Sequence, residues 1–168
     1  AALPYFMPYQ TAISLSGLLT FTGNAGNVLS RIKYINIKLI IAPLIGYFAF
    51  AAAAILYSID KADDLLTSLL GILLIILSLY FLFFNNTLKI KPTFVNGLIV
   101  GAVAGIMGGM FGIIAPPIVI YSMAVTKSKD EFITTNLTFG LVTNIYSTTI
   151  RAIKGAITAE VLLYWLLG

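Results

Sequence analysis

The chain has 168 residues, 60% of them hydrophobic and 10% charged, with a formal net charge of +4 and a mean hydropathy of +1.01. A water-facing globular surface needs about 25% charged residues, so lipid must be the main solvent, and only helices or a closed barrel satisfy a backbone there. Cysteine and histidine are absent, which removes disulfides, haem, iron–sulfur clusters, the usual zinc ligands and histidine acid–base chemistry, and no cofactor is expected.

The apolar runs are long and continuous, which favours helices over a barrel. The basic residues sit in short loops between them, as the positive-inside rule requires. No basic cluster with interleaved aromatics is present, so nucleic acid is not an expected partner. The lipid bilayer is.

Residues 1–10 read as a chain already in progress, with no visible signal peptide. The first span runs from about Ala12 to Ser30 and is unusually polar, with Ser14, Ser16, Thr20, Thr22, Asn24 and Asn27. A basic loop carries Arg31, Lys33 and Lys38. The second span, about Leu39 to Ile59, contains Pro43 and a run of alanines. An acidic loop comes next, with Asp60, Lys61, Asp63 and Asp64. The third span, Leu65 to Phe84, is the most lipophilic. Asn85, Lys89 and Lys91 form a second basic loop. Pro92 precedes a fourth span from Phe94 to about Ile114.

Ala115-Pro116-Pro117 is expected to break that helix, because proline lacks an amide proton and clashes with the preceding turn. The next apolar piece, Ile118 to Val125, falls far short of the roughly 20 residues a crossing needs. Lys127, Lys129, Asp130 and Glu131 make a mixed loop. A second polar span runs from Phe132 to about Ile150, closed by Arg151 and Lys154. A last apolar run starts near Ala156 and contains Glu160.

The two polar spans match at an offset of 120 residues: Ile13 on Ile133, Ser14 on Thr134, Ser16 on Asn136, Asn24 on Asn144, Arg31 on Arg151. At helical spacing Ser16, Thr20, Gly23, Asn24, Asn27 and Arg31 share a face. Asn136, Gly140, Thr143, Asn144, Ser147 and Arg151 form its counterpart. The chain therefore reads as one transmembrane domain, residues 1–168, with repeats of about 1–91 and 92–168. If every span crosses, both polar spans run outside to inside and the repeat is parallel. Inside loops then hold Arg31, Lys33, Lys38, Lys89, Lys91, Arg151 and Lys154, against Lys61, Lys127 and Lys129 outside. A re-entrant fourth span would undo that arrangement.

Gly97, Gly101, Gly105 and Gly109 recur every fourth residue, joined by Gly108 and Gly112. This spacing lets another backbone approach closely. Glycines followed by Pro116 and Pro117 also favour an unwound segment, which is tolerated at membrane depth only beside protein or a watery cavity. Free amides there, or the start of the next helix, attract anions. Asn24 and Asn144 are costly in lipid and should face inward, as interhelical glue or as part of a polar path. Arg31 and Arg151 sit at helix ends, where they anchor topology or attract anions electrostatically. Apart from Glu160 no carboxylate falls within a span, so a proton relay or cation site has little to work with.

The segments GLIVGAVAGIMGGMFGIIAPPIVIY (97–121) and KDEFITTNLTFGLVTN (129–144) resemble the sulfite exporter TauE/SafE family of membrane permeases, and PYFMPYQTAISLS (4–16) resembles the stretch after that family's first glycine motif. The first motif itself and the family's last helix are expected to lie outside this chain. Ile113, Ile114 and Ala115 stand where the family often has glycines. The resemblance implies transport of sulfite, sulfonates or related small organic anions. An intramembrane enzyme is not expected, because without histidine, cysteine or a mid-span carboxylate the chain offers no evident acid, base or metal ligand.

The expected protein is thus an all-α, multi-pass helical bundle of a prokaryotic plasma membrane, with two internal repeats and a Gly/Pro-broken helix. Its expected site combines Gly108, Gly109, Gly112, Pro116 and Pro117 with Asn24, Asn136, Thr143 and Asn144, while Arg31 and Arg151 attract the anion. The alternative is a structural or assembly subunit of a membrane complex, whose polar faces would be filled by partner helices. A homo-oligomer is left open.

Overall fold

The computed structural model describes residues 9–59, 61–84, 91, 93–157, 161 and 165. Among these, six α-helices form: α1 (Tyr9–Leu29), α2 (Ile37–Ile59), α3 (Asp63–Phe84), α4 (Phe94–Phe111), α5 (Ala115–Val125) and α6 (Lys129–Ile153). No strand occurs among the described residues, and the protein is an all-α membrane protein as expected. By length and composition α2, α3 and α4 can cross a bilayer. The helices α1 and α6 are as long, at 21 and 25 residues, but their polar faces dilute their hydropathy. Asp60, Asn85, Lys89, Pro92 and Glu160 lie outside the described residues, as do residues 1–8 and much of the final apolar run.

The glycine stripe explains the closest packing. Helix α4 lies along α2 in the same direction, with Gly97 against Ala42 and Pro43, Gly101 against Pro43, Gly105 against Tyr47 and Ala51, and Gly109 against Ala54. A Cβ at Gly101 would fall 2.7 Å from the Pro43 Cα, and one at Gly105 would fall 2.7 Å from the Tyr47 carbonyl oxygen. Only hydrogen on those α-carbons leaves room for the two backbones. Helix α3 packs thinly on α1 and α4. Its Ile72, Ile75, Ile76, Leu79, Leu82 and Phe83 are exposed, the pattern of a helix whose outer face meets lipid.

Local chemistry sets the helix ends. Thr93 caps α4 by accepting from the Asn96 amide, and Ser128 caps α6 by accepting from the Glu131 amide. Helix α4 stops at Gly112, whose φ of 71° is left-handed, and α5 restarts with Pro116 and Pro117 in its first turn. Proline is welcome there because the first amides of a helix have no internal partner. Helix α6 ends in a Schellman turn: Gly155 has φ 73°, its amide bonds the Ala152 carbonyl, and the Ala156 amide bonds the Arg151 carbonyl.

The direction of α6 differs from the parallel arrangement that full crossing implied. Arg31, just past the end of α1, pairs with Asp130 in the first turn of α6. Gln10, in the first turn of α1, pairs with Arg151 in the last turn of α6. The two polar helices are therefore antiparallel. The cause is the Gly112 break. Helix α4 spans about 27 Å and α5 about 16 Å at a rise of about 1.5 Å per residue. Helix α5 turns back, bringing Tyr121 beside Gly97 near the start of α4. The α4–α5 pair thus enters and leaves at the same end of the bundle, and α6 starts there. Lys127 and Lys129 join Arg31, Lys33, Lys38 and Lys91 at that end, while Arg151 and Lys154 move to the end that carries Asp63.

Candidate functional site

A helix that stops leaves its last carbonyls without internal partners. At the end of α4 these are taken by side chains from other helices. Arg151 Nη2 donates to the Gly109 carbonyl at 2.6 Å, and Tyr9 Oη donates to the Met110 carbonyl at 3.2 Å. The other guanidinium branch, Nη1, donates to Gln10 Oε1. Gln10 in turn donates through Nε2 to the Ser58 carbonyl at 2.9 Å. One network thus joins the start of α1, the end of α2, the break after α4 and the end of α6.

Arg151 is 2% exposed, and its hydrogen-bond partners among the described residues are neutral. The one ion pair among the described residues, Arg31–Asp130, lies at the other end of α6. The negative end of the α4 dipole offsets part of the Arg151 charge. A buried charge without a counter-ion is expensive, by several kcal/mol on the order of measured cases. A guanidinium also has more N–H donors than its two partners here use.

Beside this network lies a cavity of about 290 Å³. Helix α1 contributes Tyr9, Ala12, Ile13, Ser16, Gly17 and Thr20; α6 contributes Thr143, Asn144, Ser147, Thr148 and Arg151. The break supplies Gly108 and Phe111 to Ile114, α2 supplies Tyr47, and α3 supplies Leu70 and Leu74. Tyr47 is held by its Oη···Ser147 Oγ contact at 2.8 Å and by an edge-on ring contact with Phe139. Towards the Asp130 end, Phe139, Tyr47, Ile118 and Ile40 belong to one packed core. The cavity therefore occupies the Asp63-end half of the bundle.

The expected site residues divide. Gly108, Gly112, Thr143, Asn144 and Arg151 line this one cavity. Asn144 Oδ1 accepts from Thr148 Oγ1 at 3.2 Å. The Thr143 hydroxyl is turned back to the Phe139 carbonyl at 2.7 Å. Gly109 faces α2 and reaches the site only through the carbonyl that Arg151 holds. Pro116 and Pro117 start α5 but do not line the cavity. Asn136 Nδ2 donates to Ser122 Oγ at 2.7 Å and to the Phe132 carbonyl, which ties α6 to α5 away from the cavity. Asn24 sits further along α1, on a stretch where a Cβ on Gly23 or Gly26 would meet nothing within 4 Å. Arg31 is half-exposed and paired with Asp130.

Tyr9, Gln10 and Tyr47 were not legible as site residues. Tyr47 lies in an alanine-rich apolar helix, and nothing in its own neighbourhood announces a polar role. Its partner Ser147 did stand on the polar face of α6, so the signal lay in the partner's helix.

A family model described as "TauE: Sulfite exporter TauE/SafE" matches residues 1–168. No curated protein and no solved structure matches.

Proposed function

The chain belongs to the sulfite exporter TauE/SafE family, and we therefore propose that Arg151 is the anion-binding group of a permease for sulfite, sulfonates or related organosulfur anions. Membership makes the protein a membrane transporter and not an enzyme. The observation that carries the proposal is a buried guanidinium at the wall of a cavity, with no carboxylate partner among the described residues. An anion entering the cavity would supply a counter-charge to this guanidinium. Tyr47, Ser147 and Asn144 would orient it through hydroxyl and amide groups.

Alternating access is the proposed mechanism, with the α4–α5 hairpin and α6 reshaping the cavity against α1. The plasma membrane of a prokaryote is the proposed setting. The offset match between α1 and α6, together with their opposite directions, supports reading them as equivalent helices of an inverted repeat. Asn24 and Asn144 would then serve opposite halves of one path. The assembly-subunit alternative requires polar faces filled by partner helices and no cavity. The family match gives it no support.

The test is flux of labelled sulfite, sulfonate and carboxylate anions into proteoliposomes of the complete protein. Arg151→Gln should abolish flux in protein that still elutes as a folded species, and Arg151→Lys should retain part of it. Full flux in Arg151→Gln would reduce Arg151 to a cap on the end of α4.

A further inference from the structure

We infer that the anion taken by this cavity carries an apolar body behind its charged head. This inference rests on the permease reading and adds a substrate shape to it. The cavity of about 290 Å³ has room for about ten water-sized groups at roughly 30 Å³ each. A bare oxyanion of a few heavy atoms would leave more than half of it to water.

The walls carry both polar and apolar groups, with α1 adding Ser16 and Thr20 beside Ala12 and Ile13. Arg151, Asn144, Ser147 and Thr148 come from α6, joined by Tyr47 from α2. Leu70 and Leu74 come from α3, which packs on α1 and α4. Phe111, Ile113 and Ile114 line the break in the same cavity. The charged head therefore belongs at α6, and the leucines and isoleucines face space that the head does not fill. A hydrated inorganic anion gains nothing from such a wall. Each methylene buried there raises affinity about fourfold by the usual transfer value. The position of Ile113 and Ile114 at the break adds apolar surface next to the site. The chemical class is a monoanion with a compact oxyanion head and a slim tail of about four carbons.

The experiment uses the complete chain, purified in lipid nanodiscs, with binding measured for sulfite, methanesulfonate, butanesulfonate and pentanoate, and 1-butanol as the neutral control. Butanesulfonate should bind at least about tenfold tighter than methanesulfonate, and 1-butanol should not bind. Comparison of butanesulfonate with pentanoate identifies whether a sulfonate or a carboxylate head is the better source of the charge. Leu74→Trp should weaken butanesulfonate more than it weakens sulfite. Leu70→Ala, which enlarges the same wall, should shift the optimum towards hexanesulfonate and keeps the test informative if the tryptophan variant fails to fold. Equal affinity for sulfite, methanesulfonate and butanesulfonate, with Leu70→Ala leaving the order unchanged, would overturn the apolar-body inference and leave the anion permease standing. Binding of none of these anions, or binding indifferent to Arg151→Gln, would overturn the reading of Arg151 and this cavity as the anion site.

Discussion

Arg31 Nη1 lies 2.9 Å from Asp130 Oδ1, joining the end of α1 to the first turn of α6. Asn36 Nδ2 donates to Glu131 Oε1 at 2.8 Å beside it. These contacts fix the two polar helices as antiparallel, and they redistribute the charges that report orientation. Among the described residues Arg31, Lys33, Lys38, Lys91, Lys127 and Lys129 gather at this end, against Lys61 and Lys154 at the other. Arg151 belongs to neither loop, because it is buried in the cavity wall.

The charge asymmetry predicts that the Asp130 end is cytoplasmic. Single cysteines labelled in whole cells with an impermeant reagent should react at Lys61→Cys and Lys154→Cys and stay protected at Lys91→Cys and Lys129→Cys. Labelling of Lys129→Cys from outside, with Lys61→Cys protected, would invert the assignment.

The packing of α4 on α2 predicts a large effect from Gly105→Leu. A Cβ there would lie 2.7 Å from the Tyr47 carbonyl and 3.1 Å from the Ala51 amide. Overpacking of this kind costs about 1–3 kcal/mol or more. Folded yield in the membrane should fall several-fold. Gly71→Leu, where a Cβ meets nothing within 4 Å, is the control and should accumulate normally. Equal yields of the two variants would disprove the close approach.

Asn144 lines the cavity, and its side-chain oxygen accepts from the Thr148 hydroxyl one turn along α6. Asn144→Leu should leave the protein folded and lower anion flux at least about tenfold, equivalent to roughly 1.4 kcal/mol. Asn144→Ser should keep part of the activity through its smaller hydrogen-bonding group. Parental flux in size-checked Asn144→Leu would make this asparagine interhelical glue and leave Arg151 as the supported anion contact.

The Arg31–Asp130 pair is 39% and 49% exposed on its two side chains, so its contribution to stability should be small. A double-mutant cycle with Arg31→Ala and Asp130→Ala, read by thermal unfolding of purified protein, should give a coupling under about 1 kcal/mol. A coupling of several kcal/mol would mean that the pair is desolvated in the membrane-embedded protein.

Composition and apolar runs were enough to establish a helical membrane protein. Lipid offers no partner for a free backbone, and so few charges leave no other solvent. The four-residue glycine spacing already named the face that α4 buries, and Gly112 with Pro116 and Pro117 named the break. Both follow from local backbone chemistry, which each segment carries within itself. The polar faces of α1 and α6 were legible from helical periodicity, but only the α1 residues up to Thr20 and the α6 residues from Thr143 to Arg151 meet across the cavity. Periodicity fixes which side chains share a face and not which face of which neighbour they meet.

The direction of α6 depends on contacts between distant segments. Its sequence is compatible with either orientation, and the choice follows from α5 turning back after Gly112. The role of Arg151 has the same origin. On the sequence it is one basic residue at a helix end, like Arg31. In the fold, the end of α6 meets the broken end of α4, so Arg151 is buried against free carbonyls while Arg31 finds a half-exposed aspartate. The difference between a solvated anchor and a buried cation is set by the neighbour each helix end meets, and that neighbour is distant in the chain.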